Sequence, residues 1–247
     1  PYTQIRTMTH GRGGVSRPCG PDEIGMFQIK GPGLAKGYAN PEHDTGARTS
    51  DGWLITGDLG RIDGDGFIFV TGRAKDVIIR GGHNIDPALI EEPLVQHADV
   101  LHAAAVGKPD SYAGELPVVF VQLVPDTSVT TSDLLAYLVN SIAERAAIPK
   151  EIFVVEKLQL TDVGKPDKAA LRQQIAEQVF RRAISEATGI SSESDRLTVS
   201  VHPHAQLGTQ VSIAVTLQSQ AERAVLANSL ERVMGQFAFP YEIEWRE

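Results

Sequence analysis

The sequence has almost no cysteine and no long apolar run. Its 247 residues include one cysteine, Cys19, which excludes an internal disulfide and leaves no partner for a thiolate metal site. We expect Cys19 to be a free structural thiol in a reducing compartment rather than a nucleophile. No apolar run approaches the roughly 18–20 residues that a membrane-spanning helix needs. The sequence therefore predicts a cytoplasmic protein without a membrane span.

Basic blocks, metal-binding clusters and hydrolase motifs are also missing. The formal net charge is −8 and no block of Lys or Arg occurs, which disfavours a nucleic-acid partner and makes any phosphate site a local one. His, Cys, Asp and Glu show no metal-ligand spacing, and no GxSxG sequence is present. Metal catalysis and serine hydrolysis therefore have no support in this chain.

The amino terminus has neither an initiator methionine nor a secretory signal. It reads PYTQIRTMTHGRGG, without the basic-then-apolar layout of an exported protein. At 247 residues the chain exceeds the commonest single-domain size, so two domains, or one domain and an extension, are expected. We expect the sequence to begin inside a longer chain.

Residues 1–72 have the pattern of a small β-rich unit. The short runs GMFQIKGP, WLITGD and RIDGDGFIFVTG are punctuated by glycine. The Asp-Gly repeats at 63–66 lie between two runs of alternating apolar residues, which is a strong signal for a β-hairpin.

The middle of the chain has the pattern of a compact α/β unit. Apolar runs at 100–106, 116–124 and 151–158 predict a three-stranded sheet. Asp86 and Pro87 fit the N-cap and first position of a helix that Pro93 should kink or shorten. Two further helices are predicted, from a cap at Thr131 or Ser132 to Glu144 and from Lys168 to about Ala187.

The end of the chain predicts a small β-β-α-β extension. Two alternating strands surround a short turn at Gly208, a helix runs from about Ala221 to Met234, and YEIEW forms the last strand. The fold class expected for the whole chain is therefore α+β.

Asp58 and Arg73 place charged groups at the ends of predicted strands. In TGDLGR the carboxylate of Asp58 can meet paired hydroxyls such as those of a ribose, although Asp-Gly neighbours are also ordinary turn residues. Arg73 can donate to a hydroxyl or phosphate oxygen, or simply pair with Asp76. Taken alone, each residue favours the structural interpretation.

Two glycine-containing loops carry the remaining candidates. GGHNID at 81–86 brings open backbone to a turn before a helix, which suits an anion or a slender ligand but also an ordinary strand-to-helix loop. His83 is expected to be a hydrogen-bonding residue rather than a base or metal ligand. Lys165 in VGKPDKAALR can move over a phosphate or carboxylate, although most such lysines are solvated and the pattern GxxxxGK[ST] is absent.

The order of these motifs is more specific than any one of them. LAKGYANPE is followed by GWLITGDLGRIDGDGFIFVTGRAKDVIIRGGHNIDPALIEE, then by GELPVVFVQL and LTDVGKPDKAALR. This order resembles the C-terminal third of the adenylate-forming, or AMP-binding, superfamily, most of all the acyl-CoA synthetases of the fatty-acid type. The resemblance covers roughly residues 20–175 and is densest at 52–92.

The resemblance implies a two-step reaction and a division of the chain. In that family a carboxylate and ATP give an acyl-adenylate and pyrophosphate; a small C-terminal lid then rotates, and CoA gives the acyl-CoA and AMP. Residues 1–72 then correspond to the β-rich end of the large AMP-binding domain, 73–178 to the lid, and 179–247 to an additional α/β extension. The simplest role for the extension is packing against the lid or forming a homodimer, and an acyl-carrier or acceptor role is the alternative.

The resemblance also implies roles for individual residues. Asp58 and Arg73 resemble the groups that hold the ribose hydroxyls of ATP, and Lys75 falls on the hinge position. Lys165 resembles the lysine that bridges the carboxylate and the α-phosphate during adenylation. The residues that resemble the lining of the channel for the pantetheine of CoA are Gly81, Gly82 and His83, with Asn84 beside them.

Two departures from the family pattern bear on activity. Leu158-Gln159 stands where the family usually has Leu-Pro, which changes loop stiffness more than chemistry. The loop that grips the β- and γ-phosphates, the acidic Mg²⁺ residue and the acyl pocket have no counterpart in residues 1–50. The resemblance therefore implies the C-terminal part of a longer synthetase, inactive without the N-terminal adenylation domain, which is its partner and binds the Mg²⁺.

Two other functions stay open from the sequence. An adenylation module that loads a carrier protein would share the first step, although GRAKDVIIRGGHNI favours CoA ligases and no carrier-type Asp-Ser site follows the lid. A stand-alone binding or regulatory module would also lack the phosphate loop. An upstream phosphate loop in the full reading frame would identify a fragment instead.

Overall fold

A computed structural model of the chain describes residues 2–10, 16–204 and 208–246. Within these ranges the fold is mixed α+β, with three β-sheets and four α-helices, and this confirms the predicted fold class. The chain divides into two compact units, Pro1–Val77 and Ile78–Glu247. None of the helices in the described ranges is long and apolar enough to cross a bilayer.

The first unit contains one antiparallel sheet. Its strands are β1 (Gln4–His10), β2 (Ser16–Pro18), β3 (Gly25–Lys30), β4 (Leu54–Ile62) and β5 (Ile68–Arg73). They lie side by side in the order β2-β1-β3-β4-β5. The predicted hairpin is confirmed between β4 and β5, where the Asp63 carboxylate accepts the N–H groups of Asp65 at 3.0 Å and Phe67 at 2.9 Å. A short 3-10 turn, Ala74–Asp76, follows β5.

The second unit contains the other two sheets and all four helices of the described ranges. Its elements are β6 (Ile78–Arg80), β7 (His83–Ile85), α1 (Ala88–Gln96), β8 (Val100–Asp110), β9 (Gly114–Leu123), α2 (Thr131–Ser141), β10 (Glu151–Val155), α3 (Lys168–Thr188), β11 (Leu197–His204), β12 (Gly208–Thr216), α4 (Gln220–Met234) and β13 (Tyr241–Arg246).

The central sheet of this unit has five strands, so the prediction of three is wrong. β9 pairs with β8 in a long antiparallel hairpin and with β10 in parallel, and Arg80 in β6 pairs with Gly114 at the start of β9. β6 pairs in turn with β7. β6 and β7, the two strands that were not predicted, are each three residues long, which is too short to show an alternating pattern. Each is attached to the core by one fully buried residue, Ile78 in β6 and Ile85 in β7.

The central sheet is buried on both faces. Ala103, Ala105, Val119 and Val121 pack with α1 and α2. The residues next to them along β8 and β9 point the other way and pack with α3: Ala104, Val106, Val118 and Phe120. Because successive side chains of a strand alternate between faces, near-continuous apolar runs are what a sheet between two helical layers requires.

Two helix starts differ slightly from the sequence prediction. α2 is capped by Thr130, not by Thr131 or Ser132: the Thr130 hydroxyl accepts the Asp133 N–H and the Asp133 carboxylate accepts the Thr130 N–H. α2 also ends at Ser141, before the predicted Glu144. α1 begins at Ala88 with Pro87 at the cap position, one residue later than the predicted start with Asp86 as the cap and Pro87 as the first helical residue. The Asp86 carboxylate still accepts the Ala88 N–H at 2.9 Å, and the helix is short and contains Pro93.

The third sheet forms the predicted β-β-α-β extension. β12 lies between β11 (antiparallel) and β13 (parallel), and α4 and the end of α3 cover one face. The turn predicted at Gly208 involves residues 205–207, which lie outside the described residues. α3 is one continuous helix: Leu171 packs with β8 and β9, whereas Phe180 packs in the core of the extension. The predicted boundary between 178 and 179 therefore lies inside α3, and the division into lid and extension stays a prediction.

Candidate functional site

The first candidate site is an ion pair between neighbouring strands of the first unit. Asp58 in β4 lies opposite Arg73 in β5, and Arg73 Nε lies 2.9 Å from Asp58 Oδ1. The side chains of Asp58 and Arg73 are 34% and 55% exposed, so both groups can be reached from solvent. The β4–β5 register therefore joins two residues that the sequence singled out separately.

Local backbone shape determines where the Asp58 carboxylate lies. Gly57 has a φ of 78°, a left-handed conformation that a side chain disfavours. The Thr56 hydroxyl accepts the Asp58 N–H at 3.0 Å and donates to the Phe27 carbonyl at 3.0 Å. A Cβ on Gly60 would overlap the Phe27 ring and the Phe69 carbonyl. Gly57 and Gly60 therefore permit the backbone conformation and the close packing of β4, which has a β-bulge between Leu59 and Gly60.

Lys75 lies in the 3-10 turn Ala74–Asp76, directly after β5. Its side chain is exposed, and the boundary between the two compact units follows Val77. A short turn at the junction of two units is the kind of segment that absorbs a backbone rotation.

The glycine pair in the second unit forms a tight hairpin turn, not the strand-to-helix loop considered from the sequence. Gly81 and Gly82 have φ values of 55° and 86° and join β6 to β7, in the conformation that two-residue hairpins favour. Gly81, Gly82 and His83 are exposed, as is Asn84. Open backbone and an exposed imidazole therefore lie together at the tip of this hairpin.

The β8–β9 hairpin holds the base of the glycine turn. The Gly81 N–H donates to the Ala113 carbonyl at 2.7 Å, and the Ile79 N–H donates to Glu115 Oε2 at 2.8 Å. Arg80 donates to the Ala146 carbonyl at 2.7 Å. Each of these bonds spans more than thirty residues of sequence, which is why sequence reasoning missed Glu115 as a supporting residue.

Burial gives Glu115 unusual acid-base behaviour. It raises the pKa of the Glu115 carboxyl above the ordinary value, and the Ile79 N–H and the charge of Arg172 partly offset this shift. Gly107 lies against this side chain, and a Cβ there would overlap the carboxyl group. Glu115 is thus partly buried between β8 and β6.

Lys165 projects from a closed turn ahead of α3. The Thr161 N–H donates to the Lys165 carbonyl at 2.7 Å, the Gly164 N–H donates to the Thr161 carbonyl at 2.8 Å, and Leu160 pairs with Pro166. Gly164 has a φ of 78°. The Lys165 side chain is exposed, so the turn presents an ammonium to solvent from a hydrogen-bonded base.

Clusters of metal-ligating side chains are absent from the described residues. In the described ranges no three His, Cys, Asp or Glu side chains come together in a way that could hold a cation. Their chemistry is that of hydroxyl and anion recognition: an ion pair, open glycine backbone and an ammonium.

Comparison with known proteins identifies a family model and relatives that match parts of this chain. Residues 89–165 match the family model described as the AMP-binding enzyme C-terminal domain, a match that ends on Lys165. Relatives at the sequence level include fatty-acid–CoA ligases.

Three relatives illustrate the match. A marinolic acid–CoA ligase of Pseudoalteromonas sp. (strain SANK 73390) is 44% identical over 185 residues, which are 74% of this chain and 28% of that protein. The structure of ATP-bound MatB from Rhodopseudomonas palustris aligns at 32% identity with a TM-score of 0.62, over 70% of this chain and 34% of that chain. The structure of o-succinylbenzoate CoA synthetase (MenE) from Bacillus subtilis with ATP and magnesium aligns at 33% identity with a TM-score of 0.60, over 69% of this chain and 34% of that chain. The chain thus spans about a third or less of the length of the relatives that it matches.

Proposed function

Because this chain belongs to the adenylate-forming acyl-CoA ligases, of which it is a C-terminal portion, we propose that it serves both half-reactions of an ATP-dependent acyl-CoA synthetase. In the first, a carboxylate attacks the α-phosphate of ATP to give an acyl-adenylate and pyrophosphate. In the second, the CoA thiol attacks the acyl carbon and AMP leaves. The observation that carries the proposal is the closed turn that presents Lys165 at the end of the matched segment.

Asp58 and Arg73 would bind the ribose of the nucleotide. A carboxylate accepts hydrogen bonds from two neighbouring hydroxyls, and a guanidinium donates to their oxygens. Their 2.9 Å contact supports this role, since it orients the carboxylate before the nucleotide arrives. Preorganised groups lose less side-chain entropy on binding.

Lys165 would act in the first half-reaction. Negative charge accumulates between the attacking carboxylate and the α-phosphate, and an ammonium between them stabilises that charge. The exposed side chain and the closed turn beneath it support this role, because the ammonium can be placed on the substrates without reorganising the backbone.

The glycine turn would act in the second half-reaction. Gly81 and Gly82 leave room for a slender chain such as pantetheine to approach the backbone, and His83 stands beside them. Rotation about Lys75 would exchange the Lys165 turn for the glycine turn, and so one lid would serve two reactions in sequence.

Other parts of the longer protein would supply what this chain does not. The grip on the β- and γ-phosphates, the Mg²⁺ site and the acyl pocket are assigned to the N-terminal adenylation domain, so the chain alone is expected not to form an adenylate. The relatives carry the names of CoA ligases, which favours CoA over a carrier protein as the acceptor. Thioester assays with free CoA and with a purified carrier separate these two acceptors.

The test of the first-step role is Lys165→Ala in the full-length protein. We expect loss of pyrophosphate release from carboxylate and ATP, while thioester formation from supplied acyl-adenylate and CoA continues. Lys157→Ala, at another exposed lysine of the same segment, is the matched control and should leave both rates unchanged. Equal loss of both half-reactions in Lys165→Ala would refute the assignment.

A further inference from the structure

The start of α3 is tied to the rest of its unit by an ion pair that the proposed reaction does not use. Lys168 Nζ lies 2.8 Å from each carboxylate oxygen of Glu91, a residue in the first turn of α1. The two side chains are only 21% and 18% exposed. Glu91 Oε1 also accepts the N–H of Ala105, in the middle of β8, at 2.7 Å. One carboxylate therefore joins α1, β8 and the first residue of α3.

This junction lies at one end of the Lys165 turn. The turn is closed by its own hydrogen bonds, so its position depends on how its two ends are held. At the entry, the Leu158 N–H donates to Gln122 Oε1 at 3.0 Å. At the exit, Lys168 follows Lys165 by three residues and forms the ion pair with Glu91. The ion pair is therefore one of the contacts, with the packing of α3 on β8 and β9, that hold the exit of the Lys165 turn on the central sheet.

We propose that Glu91 and Lys168 are positioning residues for Lys165 in adenylation; the inference rests on the function proposed above. Neither residue would touch the substrates. Their effect is geometric, because an error of about 1 Å in the placement of a reacting group can cost about a hundredfold in rate. A half-buried ammonium held by two oxygens restrains the end of the turn more tightly than an exposed pair would.

The competing explanation is that the Glu91–Lys168 ion pair only stabilises the fold. A second ion pair in the chain serves as a control that separates stabilisation from positioning. In the extension, Arg196 Nη2 lies 2.8 Å and 2.9 Å from the two oxygens of Glu222, and the side chains are 26% and 24% exposed. Glu222 also accepts a backbone N–H, that of Gln218, at 2.8 Å. This pair is likewise a cation and a carboxylate of similar burial, but it lies away from the Lys165 turn in the sequence and belongs to another sheet.

The experiment measures both half-reactions in the full-length ligase. Glu91→Gln keeps an acceptor for the Ala105 N–H and removes the charge, and Lys168→Met keeps the stem and removes the ammonium. Each should slow adenylation by about tenfold or more, and leave thioester formation from supplied acyl-adenylate and the KM for ATP within about twofold. The double variant should lose no more than the larger single loss, because the residues act as one unit. Lys168→Arg should retain most of the rate, and the control Glu222→Gln should change neither rate.

Three results would overturn the inference. These are equal slowing of both half-reactions, slowing of adenylation by Glu222→Gln to the same degree, or additive losses in the double variant. If Lys168→Met does not fold, Glu91→Gln and Lys168→Arg decide the question. Lys165→Ala is run beside them: if it leaves adenylation intact, the proposed function of Lys165 fails. If it abolishes adenylation and the pair variants do not slow it, only the positioning role fails.

Discussion

Asp58 and Arg73 lie opposite each other on the antiparallel strands β4 and β5, and their side chains form a 2.9 Å ion pair. Taken alone in the sequence, Asp58 is better explained by a turn and Arg73 by a surface ion pair. Their pairing across two strands places a partly exposed acceptor beside an exposed donor, which is an arrangement that a vicinal diol can bridge.

Replacing Asp58 with Asn tests this pair as a nucleotide contact. The substitution removes the charged acceptor, and a hydrogen bond to a charged group is worth about 1.5–3 kcal/mol, so ATP binding to the full-length protein should weaken about ten- to hundredfold. Isothermal titration calorimetry measures the change. Asp22→Asn, which breaks the ion pair of Asp22 with Arg61 in the same unit, is the control and should leave ATP affinity unaltered. Unchanged affinity in Asp58→Asn would remove the ribose assignment.

Gly82→Ala tests the backbone requirement of the glycine turn. Gly82 has a φ of 86°, and nothing lies within 4 Å of a Cβ placed there, so the cost comes from the backbone alone. We expect the free energy of unfolding to fall by about 1 kcal/mol in urea denaturation. Gly64→Ala is matched, since its surroundings are also open but it is not among the glycines with positive φ. Equal changes in the two variants would show that φ at Gly82 is not the cause.

Glu115→Gln tests the pH dependence that burial imposes. Because the pKa of Glu115 is raised from its ordinary value of 4.5, the folded state holds the proton more tightly than the unfolded state does. The contribution of Glu115 to stability is therefore complete below about pH 4.5 and is lost as the pH rises through the folded-state pKa. Gln cannot titrate but can still accept the Ile79 N–H.

The measurement for Glu115 is urea unfolding of both proteins between about pH 4 and pH 7. The stability of Glu115→Gln relative to the unmodified chain should rise with pH across this range. A difference that does not vary with pH would show that the carboxyl is not perturbed in the folded state.

Phe180→Ala tests whether α3 holds the extension in place. Phe180 is fully buried, with its ring edge-on to Phe237 at 5.1 Å and to Phe239 at 5.3 Å. Removing a buried Phe usually costs about 3–5 kcal/mol, and we expect a loss of that size in denaturant unfolding. Val225→Ala, at an exposed position of α4, should cost far less. A loss below about 1 kcal/mol in Phe180→Ala would mean that the core of the extension is not packed as described.

The parts of the fold that follow from local chemistry could be predicted. The hairpin at 63–66 was predictable because the turn is specified by Asp63 and the glycines around it. α3 was predictable because its apolar residues recur at helical spacing over 21 residues. Thr130 should have been recognised as the α2 cap, since Thr130 and Asp133 have capping-box spacing.

The parts that depend on distant contacts could not be predicted. β6 and β7 are short strands whose attachment depends on Gly114 and Glu115, more than thirty residues away. The Asp58–Arg73 contact needed the β4–β5 register, and the Glu91–Lys168 contact joins residues 77 positions apart. Residue types and spacing give no such register, so the sequence indicated the individual groups but not their partners.

We propose that one lid serves two half-reactions through different residues, and a comparison of both rates in two variants of the full-length protein tests this directly. Pyrophosphate release is measured with carboxylate and ATP, and thioester formation is measured with supplied acyl-adenylate and CoA. We predict a crossed result: Lys165→Ala loses the first rate and keeps the second, and Gly82→Ala keeps the first and loses much of the second. Variants that lose both rates in equal proportion would contradict it.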